Sequence, residues 1–359
     1  MSDERELTRI REALAKADEE MVDALDARAS AVRAFVELKA KAPDAFFALP
    51  SSAEVVSAAL ERAKEFPPQA LERVLREALG ACDALIAPIQ VTVQGPEGGF
   101  AHVAARRYFG SAVGVNARET VNEVFDDVQR RRASFGVVPF ETSSDGAIAD
   151  TLDALLTAEA RVCAELTLEC SYDLASSTGN AADVDTIYGA HTALVACELT
   201  LKAEFPRARV LDVRSGAYAE DLAREDHGAA ALVAAFDEND PRGLRRVKAR
   251  VEDRAGVETR FVIIGHERPR RTGRDITLLA LAVGDEPGSL YHALRPFADR
   301  GINLTRIESR VARGATWRYV FFLEIDGHMT DRAIVTAVDE VQRTARHLKV
   351  LGSFPRQNA

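Results

Sequence analysis

The sequence has four cysteines and no excess of positive charge, and each shortage removes a class of function. Cys82, Cys163, Cys170 and Cys197 form no Cys-x-x-Cys pair and no cluster with histidine, which excludes a zinc ribbon and a disulfide framework. Reduced, buried thiols are the expectation. With 46 Lys and Arg against 56 Asp and Glu the formal net charge is -10, so no basic stripe exists to neutralise a phosphate backbone and nucleic acid is not expected as a partner. Small anions stay compatible through local cationic pockets. The opening Met1-Ser2-Asp3-Glu4-Arg5-Glu6 lacks the apolar core of a signal peptide, and no run approaches the roughly 18 apolar residues of a membrane span. A cytoplasmic protein without a membrane partner is expected.

At 359 residues the chain exceeds one ordinary core, which predicts two or three domains. Leu7, Leu14, Met21 and Phe35 fall on one seven-residue stripe, flanked by Ile10, Ala17, Leu25, Val32 and Leu38; this predicts one helix of about 35 residues. Arg28 lies on that stripe, where a charge is costly to bury unless it meets an anion. Lys39, three turns on, shares its face, and Arg11 is rotated by about a quarter turn. Two shorter helical patterns follow, Glu54 to Glu65 and Gln69 to Ala87.

From Ile89 the pattern changes to strands alternating with helices. Gly95-Pro96-Glu97-Gly98-Gly99-Phe100 opens a helix after a strand and offers backbone N–H groups suited to a carboxylate. It lacks the Lys-Ser/Thr of a phosphate loop and the spacing of a dinucleotide fingerprint. Ser134 to Phe140 reads as a strand, and Glu141 to Gly146 leads into a helix with Ser143 and Ser144 as candidate caps. Glu258-Thr259-Arg260-Phe261 runs into the β-branched Val262-Ile263-Ile264-Gly265, setting a hydroxyl beside a guanidinium at a strand mouth, a proton donor and an anion clamp aimed at one small substrate. After the polar, arginine-rich stretch from His266, the chain reads β-α-β-β-α-β, a ferredoxin-like unit, with its second helix expected from Asp331 to Leu348.

Taken in order, these stretches resemble the P-proteins, which join a chorismate mutase domain to a prephenate dehydratase and a C-terminal ACT domain. The resemblance implies a multidomain α and α/β chain: a helical mutase-like domain at 1–88, a two-lobed dehydratase at 89–265, a linker at 266–275 and the ACT unit at 276–359. It implies a carbon–oxygen lyase converting prephenate to phenylpyruvate with loss of carbon dioxide and water, without metal or cofactor. Thr259 is then the proton donor, Arg260 holds carboxylates, and Glu141 and Ser144 polarise the donor from the first lobe. L-Phenylalanine is the implied effector, bound between two chains of a homodimer or larger homo-oligomer through Gly288, Ser289, Leu290, Asn303, Glu308, Ser309 and Arg310. Arg11, Arg28 and Lys39 fall on the cations that hold chorismate in the mutase family.

The chain departs from these patterns at several places. Leu49-Pro50-Ser51-Ser52-Ala53 stands where the mutases carry Asp-Pro-x-Arg-Glu, and Ile86 where they carry glutamine, which implies weak or lost mutase activity. Thr142 replaces the dehydratase asparagine, Gly99 a serine or threonine, Gly189-Ala190-His191-Thr192 a Ser-His-Pro-Gln, and Ser215-Gly216-Ala217 a Ser-Thr-Ala. Val311 stands where the sensor usually has proline. Two alternatives follow: a non-catalytic phenylalanine-binding regulator on the same frame, or a dehydratase of a related substrate such as arogenate.

Overall fold

The computed structural model describes residues 2–41, 52–86, 89–234, 243–311 and 319–357, with the side chains of 2–4, 39–41 and 53 set aside. Two compact units result. One comprises 1–89 with 107–114, and the other comprises 90–106 with 115–359.

The first unit holds α1 (Ser2–Lys41), α2 (Ser52–Arg62) and α3 (Pro68–Ala84). Pro67 and Pro68 set the entry to α3, where a missing N–H costs nothing because the first helical amides have no intrahelical partner anyway. α1 is longer than its apolar stripe predicts, and most of that stripe is bare: Leu7, Ile10, Leu14, Met21, Leu25 and Leu38 are all exposed, whereas Val32 is buried.

From Gln90 the chain runs through β1 (Gln90–Gln94), α4 (Phe100–Phe109), β2 (Gly114–Arg118), α5 (Val121–Gln129), β3 (Phe135–Thr142), the two-residue β4 (Gly146–Ala147), α6 (Ala149–Thr157) and β5 (Arg161–Glu169), a first lobe. A second lobe follows, with β6 (Tyr172–Ser176), β7 (Thr186–Ala190), α7 (His191–Ala196), α8 (Glu198–Glu204), β8 (Arg209–Val213), α9 (Gly216–Glu225), β9 (Ala229–Ala234) and β10 (Arg245–Lys248). The chain then returns as β11 (Glu258–Gly265) to pair antiparallel with both β3 and β5 of the first lobe. The last segment is β12 (Asp275–Ala282), α10 (Ser289–Ala298), β13 (Leu304–Val311), β14 (Tyr319–Asp326), α11 (Arg332–Thr344) and β15 (His347–Pro355).

Strands of the first lobe and of the C-terminal segment join in one sheet, ordered β13-β14-β12-β15-β5-β11-β3-β1-β2, with β4 paired to β3. The second lobe has its own sheet, β10-β6-β9-β7-β8. The join is a single parallel pair, Gly352 with Val162. A Cβ at Gly352 would stand 2.3 Å from the Val162 carbonyl oxygen, so only glycine lets the two backbones approach there. One core runs across the join, with Phe140, Val162, Val262 and Ile264 packed together with Ile276, Leu278, Phe322 and Phe354. Lys349 strengthens it by donating to the carbonyls of Leu155 (2.8 Å), Leu156 (2.9 Å) and Ala158 (2.5 Å) at the end of α6. These carbonyls lack helical partners of their own.

The C-terminal segment keeps its expected element order, but its second helix ends at Thr344 rather than Leu348. Leu348 and Lys349 belong to β15, because pairing with Leu281 and Ala280 of β12 outweighs continuation of the helix. Ser143 and Ser144 do not cap α6, whose N-cap is Ile148. They sit in the turn between β3 and β4, where Ser143 exchanges hydrogen bonds with the Glu258 backbone.

Asp127 ties the first lobe together. Its buried carboxylate accepts from Thr92 Oγ1 (3.2 Å), Arg118 Nε (2.7 Å) and Arg132 Nε (2.7 Å). Burial alone would raise its pKa, but these partners together hold it below the ordinary carboxylate value. A depressed folded pKa gives stability that is fully present above the unfolded value, roughly 4, and is lost as pH falls through the folded one. Asp127→Asn is therefore expected to cost about 1–3 kcal/mol near neutral pH and to flatten the acid limb of the stability curve, measured by denaturant unfolding across pH.

Candidate active site

β11 is hydrogen-bonded on both edges, so the side chains near its start are fixed by register. Thr259 lies opposite Thr142 of β3 and Leu168 of β5 and is only 7% exposed. Cys170, just past the end of β5, donates its thiol hydrogen to Thr259 Oγ1 at 3.1 Å. Burial is the largest influence on the Cys170 thiol and pushes its pKa up, so the sulfur keeps its hydrogen. Once Oγ1 accepts from sulfur, the single hydroxyl hydrogen of Thr259 is left to point elsewhere.

The β3–β4 turn lies at the same end. Thr142 Oγ1 accepts from the Asp145 amide (2.9 Å) and meets Ser144 Oγ at 3.3 Å, and Ser144 Oγ donates to Asp145 Oδ2 at 2.7 Å. Two of the glycine-turn amides expected to receive a carboxylate are already used, with Gly98 N–H donating to His102 Nδ1 (3.1 Å) and Gly99 N–H to the Pro96 carbonyl (3.0 Å). This turn reaches the second lobe, where the Ala217 amide donates to the Glu97 carbonyl at 3.3 Å. The Phe100 ring at the start of α4 packs on Tyr172 of β6, centroids 4.8 Å apart. Burial drives the Tyr172 pKa well above that of a free phenol, with Thr192 as its side-chain hydrogen-bond partner. His191, the first residue of α7, faces solvent and pairs with Asp212 at 3.0 Å.

The structure does not bring Arg260 to Thr259, which corrects the expectation that the two face one substrate. Neighbours on a strand point to opposite faces, and Arg260 goes to the side of Glu141 and Thr167. There its Nε donates to Glu165 Oε2 at 2.8 Å and its Nη1 to Glu324 Oε1 of β14 at 2.7 Å. Burial works against its charge, yet Glu165 and Glu324 outweigh burial and hold its pKa above the ordinary value. Glu141 is likewise taken, bonded by Arg306 of β13. It therefore lies on the face opposite Thr259, not beside the hydroxyl that it was expected to polarise.

In the C-terminal segment a cavity of ≈ 560 Å³ is lined by Asp285 to Tyr291, Tyr319, Phe321 and Arg346. It includes Gly288, Ser289 and Leu290 but none of the other expected effector residues. Asn303 donates to Asp326 Oδ2 at 2.9 Å. Along β13 the even positions are half-buried and the odd ones exposed, so Glu308 and Arg310 share the face of Arg306, with Arg310 3.9 Å from Asp153, while Ser309 faces outward. In the helical unit Arg11 is exposed, the Lys39 side chain lies outside the described residues, and Arg28 is half-buried. One Arg28 guanidinium nitrogen, Nη1, has no hydrogen-bond partner among the described residues. Its charge nonetheless acts on Asp83, whose pKa burial raises while Ser52 and Arg28 lower it.

Sequence reasoning missed Cys170, Tyr172, Glu165, Arg306 and Glu324. A signal for Glu324 was present: a carboxylate inside the apolar run Tyr319 to Ile325 has to meet a cation, the argument already applied to Arg28. Cys170 carried no such signal, since a thiol is as common in cores as in sites.

Comparison with known proteins finds the three expected families in the expected order. Residues 10–85 match the family model for chorismate mutase type II, 91–269 that for prephenate dehydratase and 276–342 that for the ACT domain. The chain is similar to a bifunctional chorismate mutase/prephenate dehydratase of Aquifex aeolicus, 33% identical over 360 residues, 98% of each chain. Another of the same description from Stutzerimonas stutzeri is 35% identical over 287 residues, 80% of this chain and 78% of that one. Among solved structures, prephenate dehydratase from Arthrobacter aurescens in complex with L-Phe superposes with a TM-score of 0.62 at 30% identity, covering 76% of this chain and 92% of that one.

If the thiol polarises Thr259, Cys170→Ala should lower prephenate turnover about tenfold, the worth of one hydrogen bond, and Cys170→Ser should restore most of it. Steady-state rates of phenylpyruvate formation check this.

Proposed function

Since the chain belongs to the family of bifunctional chorismate mutase/prephenate dehydratases and is a prephenate dehydratase, we propose that Thr259 is its proton donor, with the polar β3–β4 turn and the start of α4 completing the substrate site. Prephenate loses a carboxylate as carbon dioxide; the electron pair of that C–C bond enters the ring and expels the ring hydroxyl from the opposite carbon. The leaving oxygen takes the Thr259 hydrogen and departs as water, and Thr259 recovers a proton from solvent. Aromatisation drives the step, so the protein's part is to fix the substrate, exclude water and supply one hydrogen at the leaving oxygen. The observation that carries this reading is the buried Thr259 hydroxyl with Cys170 donating to it at 3.1 Å, which frees its own hydrogen for the leaving group. Phe100 and Tyr172 give the site an apolar wall.

Thr259→Ala is expected to lower kcat by about 10²–10⁴, the usual worth of a positioned acid, with Thr259→Ser retaining most activity. Circular dichroism and thermal unfolding should be unchanged. A parent-like rate in Thr259→Ala would remove the hydroxyl from the mechanism. Faster turnover of arogenate than of prephenate by the parent would shift the assignment to that substrate.

For the C-terminal segment we propose an L-phenylalanine site in the cavity at the start of α10, as the solved relative with L-Phe suggests. Gly288, Ser289 and Leu290 supply the near wall; the Ser289 amide already donates to the Glu286 carbonyl (3.1 Å), which leaves the next amides of the first turn of α10 to suit a carboxylate. β13 is an edge strand, and Ile307, Val311 and Tyr319 are exposed on it and its neighbour. A second copy of the chain would cover these residues and bring Asn303 and Ser309 to the site, whereas Glu308 and Arg310 stay on the opposite face of β13. The bare apolar stripe of α1 supports the same assembly, because a patch of that length calls for a partner surface. Gly288 holds φ +85° and a Cβ there would stand 3.4 Å from the His292 ring, so Gly288→Val strains the turn. It should weaken L-phenylalanine binding at least tenfold by calorimetry.

We propose that the mutase-like pocket is at most weakly active. Arg28 and Asp83 lie within electrostatic reach of each other, and Ile86 has no hydrogen to donate to an ether oxygen. Chorismate consumption should run at least a hundredfold below prephenate turnover when both are measured on the purified chain.

A further inference from the structure

Three carboxylates and two arginines meet on the face of β11 opposite Thr259. Glu165 of β5 and Glu324 of β14 are each 7% exposed at the side chain, Arg260 17%, Arg306 18% and Glu141 33%. Arg260 binds Glu165 and Glu324 and lies 3.9 Å from Glu141, which Arg306 also binds. Both guanidinium groups stand over the Phe140 ring, at 5.2 Å and 5.5 Å from its centroid. The chain just past β15 joins in, since Gln357 N–H donates to the other Glu165 oxygen (3.0 Å) and Gln357 Oε1 accepts from the Thr167 amide (2.6 Å).

Every link in this cluster crosses from the dehydratase lobe to the C-terminal segment or braces one that does. Glu324 and Arg306 belong to β14 and β13, neighbours in the sheet that also carries the effector cavity. Glu141 and Arg260 are adjacent in the chain to Thr142 and Thr259, which face the substrate side. A rigid strand whose two faces report to different domains is a direct mechanical link between them. Two buried carboxylates sharing one guanidinium also make the arrangement sensitive to small shifts, because each is costly without its partner.

We propose that Arg260 does not touch substrate. It is a positioning residue that clamps the C-terminal sheet to β11 and, together with the Arg306–Glu141 pair, carries the effector state of that sheet to the Thr142 and Thr259 hydroxyls. This rests on the reading of Thr259 as proton donor and of L-phenylalanine as effector.

The experiment measures prephenate turnover with and without L-phenylalanine in the parent and in Glu324→Gln, Arg306→Gln and Arg260→Lys, with calorimetric L-phenylalanine binding alongside. Glu324→Gln and Arg306→Gln should keep L-phenylalanine affinity within threefold while the rate change that it causes shrinks at least fivefold. Arg260→Lys keeps the charge but loses the two-carboxylate fork, so kcat should fall at least tenfold with KM for prephenate within threefold. A tenfold or greater rise in KM for Arg260→Lys would make Arg260 a substrate clamp and overturn the proposal, as would a full L-phenylalanine response in both Glu324→Gln and Arg306→Gln. If Arg260→Lys fails to fold, the other two variants decide. The underlying readings fail separately: the donor if Thr259→Ala turns over like the parent, the effector if L-phenylalanine changes no rate in the parent.

Discussion

A strand turns successive side chains to opposite faces, and in this chain that constraint on β11 separates Thr259, bonded to Cys170, from Arg260, bonded to Glu165 and Glu324. Hydrogen-bonded to β3 on one edge and β5 on the other, β11 cannot slip by one residue without moving Thr259 away from Cys170 and its apolar run out of the core. Its central place in the sheet fixes Thr142 and Cys170 against the hydroxyl and Glu165 and Glu141 against the guanidinium. The lobes, the turns and the C-terminal sheet are arranged around that one register.

The join at Gly352 and Val162 gives the C-terminal segment a structural role beyond ligand binding. A sensor attached by a linker alone would influence the catalytic lobe only weakly, as separate domains with small interfaces do. Here the sheets are continuous, the core crosses the join, and the ion cluster lies over it. On the proposed reading, a ligand in the cavity beside α10 acts on a shared, packed element instead of on a hinge.

Much of this was legible in the sequence. Element order in the C-terminal segment followed from its β-α-β-β-α-β pattern, and α1 from its seven-residue stripe. The family followed from motifs whose order along the chain is informative even where single residues depart. What the sequence hid was direction. Thr259 and Arg260 are neighbours in the chain and were expected to act together, but period two separates them. Glu141 was placed with the donor for the same reason and belongs to the other face. Leu348 and Lys349 extend the helical pattern of α11, and only the pairing partner in β12 shows that they form a strand. Cys170 could not be singled out, since nothing local marks a thiol that will meet a hydroxyl from a strand 89 positions on.

The central claim is that one strand couples the effector cavity to the donor. The most direct measurement is amide hydrogen exchange on the parent protein with and without saturating L-phenylalanine. The account predicts that protection changes at the cavity and also at Glu141–Ser144 and Glu258–Arg260, while β7 and β9 of the second lobe exchange as before. Altered exchange at the cavity with no change at the ends of β3 and β11 would contradict it.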